Sequence, residues 1–351
     1  MCTVLPGLLR SVTECNIPGK SLQKIMFAHC VIKEVSAMSM VFQSTITPML
    51  MMFTCIIIGY VLNKLRLLPE NADTVLAKTE TYVLVPALNI STFMNYCTVQ
   101  SLVSHRSFLI VSVILISVAI SIARPLSGIF SKDSYQRNIY KYALTFGNFG
   151  FLGNAIVPII LGEEFLYPYL LFTLPLNAMC YIWGLGLLVP SGNNNHIFRN
   201  LLNPCVVSIG IGAVLGLTGI QPMIPSFIKL SLSNLSSCMG PIAMILTGFV
   251  AAKYRIGELL RKPFVYLATL FRLILLPVAF LAVLILFKTD ALIINMCLFA
   301  YATPLGLNTV VFPTAYNKDA STGASMALIS HTLCVVTIPL LYSILTYVLA
   351  K

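Results

Sequence analysis

Between residues 145 and 158 the chain reads TFGNFGFLGNAIVP, a set of residue types suited to holding an anion rather than to catalysing a reaction. Gly147, Gly150 and Gly153 recur at every third position, Asn148 and Asn154 carry side-chain amides, and Pro158 follows. A helix interrupted by such residues frees backbone N–H groups at the start of its resumed half, where about half a positive charge gathers. Free N–H groups and amide donors together recognise a carboxylate without placing a fixed charge beside it. A second stretch, ATPLGLNTVVFP at 302–313, repeats the recipe with Pro304, Gly306, Asn308, Thr309 and Pro313.

Other chemistries lack their residues. No HExxH, no Walker motif, no paired aspartates and no serine–histidine–aspartate set near a face are found. The ten cysteines include no CxxC and no cluster with histidine, so no metal, disulfide or cofactor is expected. An enzyme is therefore not expected.

The elements that must position these residues are membrane spans. Of the 351 residues 58% are hydrophobic and 9% charged, against about 25% charged in a soluble domain. Mean hydropathy is +0.91. At about 20 apolar residues per span, ten spans are predicted: 43–63, 74–95, 107–130, 139–161, 165–189, 203–220, 225–252, 262–287, 291–315 and 321–349. Residues 1–40 are mixed in polarity and read as a disordered or weakly helical tail, or as an over-extended start. The rest divides into 41–189, a short loop at 190–202, and 203–351.

Basic residues set the orientation. Lys64, Arg66, Lys78, Lys132, Arg137, Lys141, Arg199, Lys253, Arg255, Arg261, Lys262 and Lys318 follow odd-numbered spans, while Arg106, Lys229, Lys288 and Lys351 lie on the other face. That places the odd-numbered loops in the cytoplasm and both termini outside, in the plasma membrane. The net charge of +11 resides in these loops and does not indicate nucleic acid.

The two halves echo each other. Pro48 and Pro204 are 156 apart, Pro86 and Pro241 155, Arg124 and Arg272 148, and Asn154 and Asn308 154. Five spans per copy is an odd number, so the second copy enters from the opposite side. The expected fold is all-α, ten transmembrane helices as a 5+5 inverted repeat, with broken helices 4 and 9 crossing near Gly153–Asn154 and Pro304–Asn308. Transporters of this plan bind substrate between such interrupted helices.

Each candidate has a plainer reading beside the functional one. Glycines at i, i+3, i+6 also make a tight packing face. Asn148, Asn154 and Asn308, with Gly150, Gly153, Pro304, Gly306 and Thr309 around them, are the expected substrate contacts, or else they satisfy freed backbone groups. Arg272, ten residues into span 8, either holds an anion or neutralises half-helix C-termini. Asn89 and His331 either line the path or bond within helix interfaces. Lys78 and Glu80 are expected at the cytoplasmic start of span 2. No other acidic residue falls inside a span, which weakens a carboxylate-driven antiporter.

At FGNFGFLGN, LNPCV, MGPIAMILTG, FRLILLP, ATPLGLNTVVF and PLLYSIL the chain resembles the auxin efflux carrier family, over about residues 43–350. The resemblance implies a scaffold of spans 1, 2, 6 and 7. The remaining spans, 3–5 and 8–10, would form a transport unit that moves like an elevator. Bacterial relatives are associated with dicarboxylates such as malate and malonate, and plant relatives with auxin. Two departures stand out. The family's proline two residues after the last span-4 glycine is Ala155 here, and the central loop is short, as in prokaryotic-type permeases. The expected function is secondary export of a small organic anion, with a sodium-coupled symporter of the bile-acid type as the alternative. Expected partners are that anion and the lipid bilayer, with a homodimer as a candidate assembly and no nucleic acid.

Overall fold

The computed structural model describes residues 20–188, 204–315 and 318–350. Residues 1–19 of the expected tail and the expected loop at 190–202 lie outside the described residues. In chain order the helices are α1 (Lys20–Lys64), α2 (Ala72–Thr79), α3 (Val85–Tyr96), α4 (Val99–Ser104), α5 (Arg106–Phe130), α6 (Ser134–Thr145), α7 (Asn154–Ile160), α8 (Leu166–Met179) and α9 (Leu185–Leu188). The second half continues with α10 (Pro204–Thr218), α11 (Ser226–Ala251), α12 (Ile256–Leu259), α13 (Pro263–Leu270), α14 (Leu276–Leu286), α15 (Ala291–Tyr301), α16 (Asn308–Ala315) and α17 (Ser321–Leu349). No strand occurs among the described residues. α1 already begins at Lys20, so residues 20–40, expected as tail, continue the first span's helix.

Among the described residues six helices are long and apolar enough to cross a membrane: Ser39–Lys64, Arg106–Phe130, Glu163–Leu188, Ser226–Ala251, Pro263–Leu286 and Ser321–Leu349. They coincide with six of the ten expected spans. Of the other four expected spans, span 2 is helical from Ala72 to Tyr96 but less apolar, span 6 is the shorter α10, and spans 4 and 9 are interrupted. Span 4 is divided into α6 and α7, and span 9 into α15 and α16. Asp133 caps α6 by accepting from the Gln136 N–H at 2.7 Å, and Asp290 caps α15 by accepting from the Leu292 N–H at 2.7 Å. Such caps fix where each half-helix starts.

Among the described residues four helices carry a π turn, at Glu80–Leu84, Phe149–Gly153, Cys180–Gly184 and Phe271–Leu275. A π turn inserts a residue and re-aims side chains, and it recurs at functional positions.

Among the described residues several helix pairs pack through glycine. A Cβ on Gly59 would collide with the Ile245 backbone carbonyl, and one on Gly248 with that of Ile56, so α1 and α11 touch backbone to backbone. α3 and α10 do the same, where Gly212 faces Asn89 and Phe93, and Gly216 faces the Phe93 and Cys97 carbonyls. Small residues give apolar helices this close approach where lipid supplies no hydrophobic drive.

At one end of the bundle Lys262 donates to Ser321 Oγ at 2.8 Å and Thr322 Oγ1 at 3.1 Å, joining α13 to α17. Asp319 accepts from the Ser321 N–H at 2.9 Å and from Gln136 at 3.3 Å. Partial burial pushes the Asp319 carboxyl up. The bonds from Ser321 and Gln136, with Lys262 nearby, outweigh it and hold the group below the usual carboxylate range.

Candidate functional site

The interruptions of the two divided helices meet. Gly147 and Leu305 form an isolated antiparallel backbone bridge, and the Asn148 N–H donates to Pro304 O at 2.7 Å. Pro304 has no N–H to offer and only its carbonyl is used. The Leu305 N–H donates to Ser330 Oγ of α17 at 3.0 Å. Gly306 permits the approach: a Cβ there would stand 3.3 Å from Phe146 O and 3.4 Å from Gly147 O. Backbone groups freed by the breaks are thus partnered across the contact, as an apolar setting requires.

Arg272 binds the ends of both first halves. Its side chain is 0% exposed. One terminal nitrogen donates to Thr145 O at 3.1 Å and Leu144 O at 3.4 Å, at the C-terminus of α6. The other donates to Ala300 O at 3.3 Å, at the C-terminus of α15. The guanidinium also lies 5.3 Å from the Tyr301 ring centre. One cation therefore neutralises two negative helix ends. Gly147 makes room for it, since a Cβ would come 2.5 Å from the guanidinium. Tyr169 of α8 makes a second bridge, its hydroxyl lying 3.0 Å from Phe149 O and 3.2 Å from Phe299 O.

The positive ends carry the amides. Asn148 is the cap residue of the resumed half of span 4, yet its side chain does not cap that helix. Instead Asn148 Nδ2 lies 2.9 Å from His331 Nε2. His331 Nδ1 lies 2.7 Å from Ala327 O, which can only accept. The proton therefore sits on Nδ1, and neutral Nε2 accepts from the Asn148 amide. Asn308, the first residue of α16, donates to the Tyr142 hydroxyl at 2.9 Å, which in turn lies 3.0 Å from Cys180 Sγ. Beside His331 a narrow apolar cleft of about 180 Å³, open mouth included, runs between Met49, Met52, Phe53, Leu152 and Met244. Ligand pockets commonly span ~300–1,000 Å³, so this cleft is smaller than one that holds a substrate.

The expected residues separate into groups. Asn148, Pro304, Gly306 and Asn308 lie at the meeting of the breaks. Thr309 is buried there and donates to Gly306 O at 2.8 Å. Gly150 faces open space, because a Cβ on it would meet nothing within 4 Å. Gly153 and Asn154 differ from expectation. The helix has resumed by Phe149, so both lie within it rather than in the break. Gly153 makes room for the Tyr169 hydroxyl, and Asn154 Oδ1 is buried without a partner. The contact point therefore lies at Gly147–Asn148, about a turn and a half ahead of the expected place. Asn89 donates to Ser208 Oγ at 3.1 Å, joining α3 to α10.

Tyr142, Tyr169 and Ser330 went unremarked in the sequence, and Cys180 reads there only as a small apolar residue of a span. Apolar spans hold many such residues, and nothing local separates these four from the rest. Glu80, expected at the cytoplasmic start of span 2, is 0% exposed.

Residues 44–342 match the family model described as "Membrane transport protein". The match lends no support to a sodium-coupled symporter of the bile-acid type. No curated protein matches the chain.

Proposed function

The chain belongs to the membrane transport protein family, and on that premise we propose that it is a secondary carrier exporting a small organic anion. The observation that carries this reading is the charge pattern where the two breaks meet. Arg272 neutralises the negative half-helix ends, while the positive ends are left to neutral amides. Among the described residues no carboxylate bonds to those amides. A site with unneutralised positive dipole ends and amide donors selects an anion. The substrate class is a mono- or dicarboxylate of malate, malonate or auxin type.

The working architecture is ten spans in a 5+5 inverted repeat, with both termini outside the plasma membrane. The glycine-packed helices are the fixed part, and the interrupted pair rides in the moving part. A membrane potential of 100 mV, inside negative, favours expulsion of one negative charge by about 2.3 kcal/mol. Export then needs no coupling sodium.

The test is flux in proteoliposomes over a panel of mono- and dicarboxylates. Asn148→Ala and Asn308→Ala are each expected to lower apparent affinity roughly ten- to a hundredfold, the equivalent of about 1.5–3 kcal/mol for an amide bond to a charged group. His331→Ala is the control, because it removes the same internal bond from the other side. Equal losses in Asn148→Ala and His331→Ala would reduce Asn148 to a structural partner. Normal flux in both asparagine variants would remove the site from this place.

A further inference from the structure

The described interior holds one acidic side chain that the carrier reading leaves without a task. Glu80 is 0% exposed, and neither carboxyl oxygen has a hydrogen-bond partner. It opens the π turn between α2 and α3. Asp73, seven residues earlier, lies on the same helical face. There it is paired with Lys253 at 2.7 Å, so that lysine is already engaged. Leu76 and Ala77, one turn before Glu80, pack against a cluster of Leu246 and Val250 from α11, Leu307 and Val310 from the second break, and Ala324 from α17. Glu80 therefore stands one turn from the surface where the glycine-packed helices meet the interrupted one.

The helices packed on its π turn are α11 and α10. α11 carries only Lys229 and Cys238. Counted back from Lys253 at 1.5 Å per residue, both lie a turn or more beyond the level of Glu80. α10 carries Cys205 alone, in its first turn, and Lys78 and Tyr82 on either side of Glu80 are exposed. No described cation offsets the charge. An ionised carboxylate in a dry interior with neither a counter-ion nor a hydrogen bond is far too costly, and such a group neutralises by taking up a proton.

We propose that Glu80 is a proton-binding site: the carboxyl holds one proton while α2 is packed against α11 and the interrupted helix, and releases it to water when they part. The step balances as carboxylate plus proton giving carboxylic acid, and no other species takes part. The packed arrangement binds one proton more than an opened one, so acid favours it and alkali opposes it. On the distribution of basic loops the exchanging water is cytoplasmic. Bound protons at Glu80 do not depend on the substrate proposed above, whereas their effect on flux rests on the carrier reading.

Infrared spectroscopy of the full chain in lipid tests the site. At neutral pH the wild-type protein is expected to show a protonated-carboxyl C=O band. Glu80→Gln should lack that band, and alkali should titrate it away in the wild type. Absence of the band from the wild-type protein at neutral pH would overturn the proposal. So would its appearance only in Arg199→Gln, which would mark Glu80 as that arginine's ionised partner. Should Glu80→Gln fail to fold, Glu80→Met serves as the neutral variant and the wild-type titration stands by itself. In proteoliposomes wild-type flux is expected to change several-fold with internal pH while Glu80→Gln stays flat. Parallel profiles would refute the link to transport.

Discussion

Among the described residues glycine brings helices together in two ways, with opposite consequences. α1 and α11 are continuous where they meet, so every backbone group at Gly59 and Gly248 is bonded within its own helix. That contact needs shape alone. At Gly147 and Gly306 the helices have stopped, and the contact has to supply partners for freed N–H and C=O groups. Arg272, Tyr169, Ser330 and the Asn148 backbone provide them. The first kind of contact makes a rigid seam. The second makes a polar island in an apolar bundle. The same residue type thus makes a seam or a polar contact according to whether the helix carries on past it.

The seam should be the more fragile to bulk. Gly248→Leu drives a side chain into the Ile56 carbonyl, and backbone on both sides cannot step aside. Overpacking costs ~1–3 kcal/mol where neighbours can shift, and more where they cannot. The expected result is loss of monodisperse protein in detergent. Gly150→Ala, whose Cβ meets nothing within 4 Å, should fold with an unchanged melting temperature. If Gly248→Leu behaves like Gly150→Ala, the backbone contact between α1 and α11 is wrong and the comparison fails.

Next in size is Arg272→Gln. It withdraws a charge from three carbonyls on two helix ends, and a bond from a charged donor is worth about 1.5–3 kcal/mol. The protein is expected to melt lower and to lose flux together. Arg272→Lys keeps the charge but not the fork, so it should recover part of the stability. Lost flux at full stability in Arg272→Gln would instead place the guanidinium on the substrate.

Much of this was legible in the sequence. Hydropathy marked all six long apolar helices, because their burial in lipid is written in composition. The breaks were legible as well: Gly147, Pro304 and Gly306 are residues an uninterrupted helix would avoid. Register was less so. In the chain Gly147, Gly150 and Gly153 look alike, but one faces Arg272, one faces space and one faces Tyr169, each from a different helix. Spacing along one segment cannot reveal what stands opposite. The burial of Glu80 was hidden for a related reason: α10 and α11, which pack on its π turn, come from distant parts of the chain.

Asn154 gives the smallest expected effect and the sharpest test of the symmetry. It and Asn308 stand 154 residues apart, one in each divided helix, but their surroundings differ. Asn308 donates to Tyr142, while Asn154 Oδ1 is buried without a partner. Losing a satisfied group leaves its partner stranded, whereas losing an unsatisfied one removes a desolvation cost of about 1–3 kcal/mol that nothing offsets. Asn154→Ala should therefore keep or raise the melting temperature, where Asn308→Ala keeps or lowers it. Flux then decides what the lone oxygen is for. If Asn154→Ala transports as the wild type does, the substrate is held at the Asn148–Pro304 contact, and the two halves share a plan without sharing a role. A loss as large as that of Asn308→Ala, at undiminished stability, would restore the symmetric pair: Asn154 would then meet the substrate in an arrangement where α7 has moved away from α11.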